Sequence, residues 1–513
     1  MVLNALAGSV VPGAELLPRR AQGAENWTAG EPTAGRLGCS PRAVPTKAAA
    51  ARSGLIGQAV RQDDCVQGSR RMRLADAAWL GIDRPHNRAL VVAVLQLSGE
   101  LDLDALRARV QERMVDPYPR FRQRVHPSMP SPRWGMLTAR WQHDRTFDLG
   151  QHVVGPLCDH PCDDKALQRL AGTLLGQPLD PERPPWQMHL VRLHGGGSAL
   201  VARFHHGLAD GIALASVLLR LADDVAYTDP PGVRPESTQQ GGRTGDKGAG
   251  VLRAAWTGAR VSLSVLPTLL NLVLRMGEPP TLLRGPLGTA KSLAWTRPND
   301  LKEVRAVARA HGASINDVLL AATAAGLRRH LQERGGTVGD LRAAVPVDLR
   351  RGTPVPADLG NTFGVVFVPL PVGEADPLRR LQLVARSTRR LKGSAQAGVT
   401  FTLLRIVGTM PKLVRELAVA VLGESASAVV TNVPGPRETL HIDGHRLDEV
   451  VFWGPQAGRI SLGVSLFSYA GAVTVGVAVD SGLGIDPEGL AQQIQDELGV
   501  LRGLAEPPAA QAR

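Results

Sequence analysis

Cysteine is scarce in this chain, with four residues in 513. A disulfide framework is therefore excluded, and a reducing compartment is expected. The only cluster is Cys158-Asp-His-Pro-Cys162. It offers two thiols and His160 with no second Cys/His pair nearby, so no metal site is expected there. Hydrophobic runs that read as a spanning helix are missing as well. The uncharged run Val261–Leu274 is shorter than the roughly 18 residues that cross a bilayer, and it contains Pro267 and Asn271, while the uncharged stretch 460–479 reads as two strands joined around Tyr469-Ala470-Gly471. Residues 1–20 have no basic stretch ahead of an apolar one, so no secretory signal is read. Residues 255–276, marked by Arg253, Arg260 and Arg275, suit either a helix lying on a membrane surface or one packed on its own domain.

Lysine and aromatic residues are also few. Seven of the 59 cations are Lys, and aromatics make up 4%. The net charge of +12 invites a nucleic-acid reading. The Arg-over-Lys bias, with 56 Gly and 38 Pro, looks instead like the drift of a GC-rich genome. The stacking platforms that single-strand binders need are also missing, so no nucleic-acid partner is expected. The positive surface suits an anionic membrane or an anionic co-substrate. Against these absences stands an ordinary apolar content of 43%, enough for large buried cores.

The chain reads in five parts. Residues 1–71 are rich in Gly, Ala, Pro and Arg without sustained period, and are read as a disordered tail or as an upstream extension with Met72 as the true start. Residues 72–227 form a first lobe. Residues 228–281 hold a Pro- and Gly-rich linker and the possible interfacial helix. Residues 282–502 form a second lobe, and 503–513 a tail. In the first lobe, strands are expected at 90–97, 187–193 and 198–204, the last two joined as a hairpin by Gly195-Gly196-Gly197. Helices are expected after Asp102, around Leu167, Leu170 and Leu174, and at 212–223. In the second lobe, helices are expected at 299–310, 314–333 (capped by Ser314), 377–392, 402–422 and from Asp486 to about Leu501. Strands are expected at 341–347, 363–370, 427–431, 450–453, 460–468 and 473–479. This is an α/β (α+β) chain of two lobes with mixed sheets.

The strongest chemical signal is His205-His206-Gly-Leu-Ala-Asp210-Gly211 at the end of the 198–204 strand. A strand end sets a His at a defined rim, and the flanking glycines let the backbone turn sharply. A neutral imidazole there can take the proton of an alcohol or thiol attacking a carbonyl. Asp210 either orients the loop or pairs with an Arg. Other readings compete. Adjacent histidines point apart in a strand and no third ligand is evident, which disfavours a metal. A structural His pair stays open. The chain has no G-x-S-x-G, so a serine-hydrolase elbow is absent.

The seven-residue motif resembles the HHxxxDG signature of acyl-CoA-dependent acyltransferases. Further segments narrow the resemblance: Leu74-Ala-Asp76-Ala-Ala-Trp79, Arg84-Pro85-His86, Pro178-Leu-Asp180-Pro-Glu-Arg183-Pro-Pro-Trp186, Ser314-Ile-Asn316-Asp317-Val318, Val345-Pro346-Val347-Asp348-Leu-Arg350, Gly360-Asn361-Thr-Phe-Gly364, Thr431-Asn432-Val-Pro434-Gly435-Pro436 and Ser465-Leu-Phe-Ser468-Tyr469-Ala-Gly471. In this order they are similar to the bacterial wax ester synthase/diacylglycerol acyltransferases over residues 72–502. One departure is Pro184-Pro185-Trp186, where the family usually has Pro-Leu-Trp.

The resemblance implies a chloramphenicol acetyltransferase-like fold with a tunnel between the lobes, and direct acyl transfer without an acyl-enzyme. It implies His206 as general base, His205 as loop support, Asp210 as a structural group and Gly211 as a point of close substrate approach. Asn316 and Asp317, at a helix start, either serve the acceptor and oxyanion or merely cap the helix. Asn361 and Asn432 either line the site or satisfy turns. The expected partners are acyl-CoA as co-substrate, with no further cofactor, and a hydrophobic alcohol acceptor. The acceptor is a diacylglycerol or a fatty alcohol; the alternatives are a condensing enzyme on a carrier-bound acceptor and a non-catalytic lipid-binding protein. The expected location is the cytoplasmic side of the plasma membrane or a lipid-inclusion surface, by peripheral association. The acceptor, the chain length and the oligomeric state are not legible.

Overall fold

The computed structural model describes residues 69–127, 139–157, 160–225, 281–350, 352–392, 394–407, 415–416, 419, 423–456 and 458–505. The interfacial-helix segment 255–276, the linker 228–250, Cys39, Cys65 and Cys158 lie outside them.

The chain begins with β1 (Ser69–Arg71) and α1 (Leu74–Ile82), then β2 (Leu90–Leu97) and α2 (Leu103–Val110). Asp102 caps α2 as expected, its carboxylate accepting the N–H groups of Asp104 and Ala105. Next come β3 (Gln123–Pro127), β4 (Ala139–His143), β5 (Val153–Val154), α3 (Asp164–Gly176), β6 (Trp186–Arg192), β7 (Ser198–His205) and α4 (Gly211–Leu219). Gly195 and Gly196, with φ of 86° and 83°, make the turn of the β6–β7 hairpin that only glycine tolerates without strain.

The second half runs β8 (Lys291–Trp295), β9 (Asn299–Asp300), α5 (Leu301–Ala310), α6 (Ile315–Glu333), β10 (Leu341–Asp348), β11 (Phe363–Leu370), α7 (Pro377–Lys392) and α8 (Gln396–Val407). It closes with β12 (Ala428–Pro434), β13 (His441–Ile442), β14 (His445–Trp453), β15 (Leu462–Tyr469), β16 (Ala472–Asp480) and α9 (Pro487–Ala505).

Two mixed sheets carry the fold. One has the order β13-β14-β2-β7-β6-β5, the other β11-β10-β12-β15-β16-β8 with β9 on β16. Strand β2 shows why both of its faces must be apolar. Val91, Ala93, Leu95 and Leu97 enter one core with Phe204 and Met188, while Leu90, Val92 and Val94 enter another with Leu174 and Trp453. The second sheet buries Val430, Val464 and Val477 against α6 and α9, through residues such as Leu320 and Ile494.

Three expected boundaries are corrected. The expected lobe 282–502 does not keep to its own sheet: β14 pairs antiparallel with β2, so the second half supplies two strands of the first sheet. The tail read as 1–71 overlaps the folded region, because β1 pairs with β4 through Ser69, Arg70 and Arg71. The closing helix continues into the segment read as a tail, ending at Ala505. Element bounds also shift. The helix expected at 402–422 begins earlier, at Gln396, and runs to Val407, and of the later residues described Arg415, Glu416 and Val419 are helical. The helix expected at 212–223 spans Gly211–Leu219. The strand expected at 450–453 starts at His445.

Candidate active site

Strand β7 delivers the two histidines. Its ladder with β2 continues one residue past the strand, where the His206 N–H donates to the Ala89 carbonyl at 2.7 Å. The His206 carbonyl in turn accepts from Asn361 Nδ2 at 2.8 Å. Both backbone groups of His206 are thus held before its ring is considered. The ring stacks on Trp79 of α1, with centroids 4.1 Å apart and planes 28° apart, and Phe363 of β11 flanks it at 5.4 Å.

His206 lines a cavity of about 200 Å³. The cavity walls are mostly apolar and include Ile82, Ile212, Val365 and, from α8, Leu403 and Leu404. His206 Nδ1 is buried with no hydrogen-bond partner in the protein. Burial pushes the His206 pKa down to about 4, and the nearby Asp210 charge only partly offsets this. The imidazole is therefore neutral at physiological pH, the form a general base requires.

His205 turns to other work. Its Nδ1 accepts the Gly207 N–H at 3.0 Å, and its Nε2 lies 4.0 Å from the Asp83 carboxylate. Burial lowers its pKa, with Asp83 opposing. This arrangement pins the turn between β7 and α4.

Asp210 is fully engaged. One oxygen caps α4 by accepting the Ala213 N–H at 3.0 Å. The other accepts the Thr362 N–H at 2.9 Å and binds Arg350. Arg350 also holds Asp348 at 3.0 Å. Of the two readings of Asp210, loop orienter or Arg partner, the structure shows both. Gly211 lines the cavity, and a Cβ built there meets nothing within 4 Å. A side chain at 211 would therefore project into open space beside the cavity.

The four asparagine and aspartate candidates separate. Asn361 bridges: its N–H and Nδ2 donate to Asp76 Oδ1 at 2.8 and 2.9 Å, while Nδ2 also holds the His206 carbonyl. It is not among the residues lining the cavity. Asp317 forms a capping box with Ser314, and its other oxygen accepts the Thr388 hydroxyl at 2.6 Å. That is the helix-cap reading, with both oxygens committed. Asn432 lines the His206 cavity and also a neighbouring cleft, and its Nδ2 donates to Asn316 Oδ1 at 3.0 Å. Asn316 lines only the neighbouring cleft.

Two partners of the site carried a sequence signal whose role was not readable. Asp76 and Trp79 both lie in the Leu74–Trp79 segment singled out by resemblance. Asp76 is buried, and burial raises its pKa against the two Asn361 hydrogen bonds. Among the described residues no group of three or more His, Cys, Asp or Glu side chains is placed to hold a metal.

The family model of the wax ester synthase/diacylglycerol acyltransferase catalytic domain matches residues 72–319, and that of the family's C-terminal domain matches 359–502. A probable diacylglycerol O-acyltransferase of Mycobacterium tuberculosis, tgs1, is 28% identical over 387 residues, covering 71% of this chain and 81% of that protein. The solved wax ester synthase/diacylglycerol acyltransferase of Marinobacter aquaeolei matches with a TM-score of 0.60 at 20% identity, over 85% of this chain and 100% of that one. A trichothecene 15-O-acetyltransferase from Fusarium sporotrichioides shares the fold with a TM-score of 0.58 at 13% identity, over 85% of this chain and 94% of that one.

Proposed function

Because the chain belongs to the wax ester synthase/diacylglycerol acyltransferase family, and is an acyltransferase, we propose that it moves a long acyl chain from acyl-CoA to the hydroxyl of a diacylglycerol or a long-chain alcohol. The observation that carries this reading is a neutral imidazole on the wall of an apolar cavity. Such a cavity takes a hydrocarbon body and offers one base to one hydroxyl. The products are a triacylglycerol or a wax ester. An apolar wall separates these acceptors poorly, because both present the same group to the same base.

The proposed step is direct. The acceptor oxygen attacks the thioester carbonyl while the His206 imidazole takes its proton. The tetrahedral intermediate then collapses, the carbon–sulfur bond breaks, and the imidazolium returns the proton to the CoA thiolate. Base catalysis of this kind contributes about 10²–10⁴-fold. His205, Asp210 and Arg350 keep the loop that carries the base in place. Gly211 leaves room for the substrate.

Substrates this apolar reside in membranes and lipid inclusions. We place the protein peripherally at the inner face of the plasma membrane or on inclusions, supported by its net charge of +12. Among the described residues no helix is long and apolar enough to cross a membrane.

The test is CoA release by purified protein given palmitoyl-CoA with either a diacylglycerol or hexadecanol, beside His206→Ala. Acceptor-dependent release that the substitution abolishes supports the reading and ranks the acceptors. No release with either acceptor, together with retained lipid binding, would replace it with a lipid-binding protein of the same fold. Release only with a carrier-bound acceptor would point to a condensing enzyme.

A further inference from the structure

Next to the His206 cavity lies a second recess, of about 560 Å³, whose partly apolar wall also carries several cations. Four cations line it: Lys302 and Arg305 from α5, Lys392 at the end of α7, and Arg437 after β12. Among the described residues no acidic side chain lines it. Lys302 and Arg305 are three residues apart and so share one face of α5. All four are exposed, and none forms an ion pair among the described residues. Surface cations elsewhere in the protein are commonly paired, as in Arg502–Glu303 and Arg329–Asp496. Four unpaired like charges around one concavity repel each other, and an anion bound there would relieve that repulsion.

The loop carrying Arg437 is anchored. The Gly435 N–H donates to the Ser468 carbonyl at 2.7 Å, and the Ala470 N–H donates to the Pro436 carbonyl at 2.9 Å. A Cβ at Gly435 would sit 2.5 Å from the Ser468 oxygen, so only glycine permits this approach. This stretch of the rim is therefore held in place.

Asn432 lines both the recess and the His206 cavity, and its bond to Asn316 forms part of the wall they share. A ligand with several phosphates at one end and a reactive group on a long flexible arm would fit this pair of spaces. Its phosphates would meet the four cations, and its arm would pass Asn432 to reach His206.

We propose that Lys302, Arg305, Lys392 and Arg437 bind the phosphorylated nucleotide end of the acyl-CoA donor. This rests on the acyltransferase reading and specifies how the donor is recognised. A small polyphosphate fits better than an acidic carrier protein, because the charges surround a concave recess.

The experiment uses the full chain, with Lys302→Glu/Arg437→Glu as the main variant and Arg305→Gln/Lys392→Gln as a milder one. CoA binding is titrated directly, so the outcome does not depend on turnover. Removing two charge-assisted contacts should weaken CoA binding by about 100-fold in the first variant, with a smaller loss for CoA lacking its 3′-phosphate. Turnover is then compared for palmitoyl-CoA and for S-palmitoylpantetheine, which has the thioester arm without phosphates. The expected result is a raised KM for palmitoyl-CoA with S-palmitoylpantetheine turnover unchanged, which also shows that the variant is folded. Unchanged CoA affinity overturns the proposal, as does equal loss with both donors or a loss confined to an acyl-carrier-protein donor. If the wild type transfers from no donor, the acyltransferase reading fails, and the CoA titration still decides what the recess binds.

Discussion

The Asp210 carboxylate is bound by the guanidinium of Arg350, from 140 residues further along the chain, and both side chains are almost wholly buried. The pair joins the turn after β7 to the end of β10. Removing one member of a buried pair leaves the other charge without compensation, which costs about 3–5 kcal/mol. Arg350→Leu is expected to lose stability on that scale in chemical denaturation. Asp210→Asn/Arg350→Leu should lose less than the two single substitutions added together, since it buries no lone charge. Additive losses would show that the two side chains are not coupled.

Stacking of Trp79 on His206 sets a second expectation, for pH. The base works only when unprotonated, and burial holds its pKa at about 4. The acid limb of kcat/KM reports the free enzyme, so activity should persist well below the ordinary imidazole value of about 6.5 and fall only near pH 4. Trp79→Ala uncovers one ring face to water. Its acid limb should therefore move up toward about 6.5. A wild-type limb already near 6.5, or one that Trp79→Ala does not move, would contradict the claim that the Trp79 ring keeps His206 neutral.

Much of this site was readable from local pattern. The HHxxxDG turn, the β6–β7 hairpin and the Ser314 cap all depend on residues within a few positions of each other, where spacing alone carries the geometry. The partners of the site were not readable, because they come from far along the chain: Arg350 for Asp210, Asn361 for the His206 carbonyl, Trp79 for its ring. Several short or polar strands escaped for a different reason, β8 and β3 among them. In β8 the buried Lys291 pairs with Asp480 at 2.8 Å, so a charge stands where the pattern needs an apolar residue. In β3 most side chains are polar, and its partner β4 offers only Ala139 and Trp141 to the core. The placement of β14 beside β2 is a question of topology, on which alternation is silent.

Asn361 should act on rate without touching substrate. It ties the His206 carbonyl to the buried Asp76, and it does not line the cavity. Asn361→Ala frees the residue that carries the base, and misplacement of a reacting group by an ångström can cost about 100-fold. The expected outcome is a kcat reduced by about 10- to 100-fold per folded molecule, with KM for palmitoyl-CoA little changed. An unchanged kcat would show that the backbone of His206 needs no such tether. A rise in KM alone would place Asn361 in binding.

His189 of β6 makes the last expectation, one of stability. It is buried with both ring nitrogens unpartnered, and burial pushes its pKa down to about 4. In the unfolded chain the value is about 6.5, so between those pH values the unfolded state holds a proton that the folded state refuses. Stability must then fall as pH drops through this window, at up to about 1.4 kcal/mol per pH unit for the one group. His206 adds to the slope by the same reasoning, since its folded value is also about 4. His189→Leu removes one titrating group and puts an apolar side chain on the face of β6 where Val191 and its β7 neighbour Val201 already belong to the core. Denaturation measured at pH 8 and pH 5 should show the substituted protein losing less stability between the two than the wild type. An identical loss would mean that His189 takes up its proton in the folded state as readily as in the unfolded one.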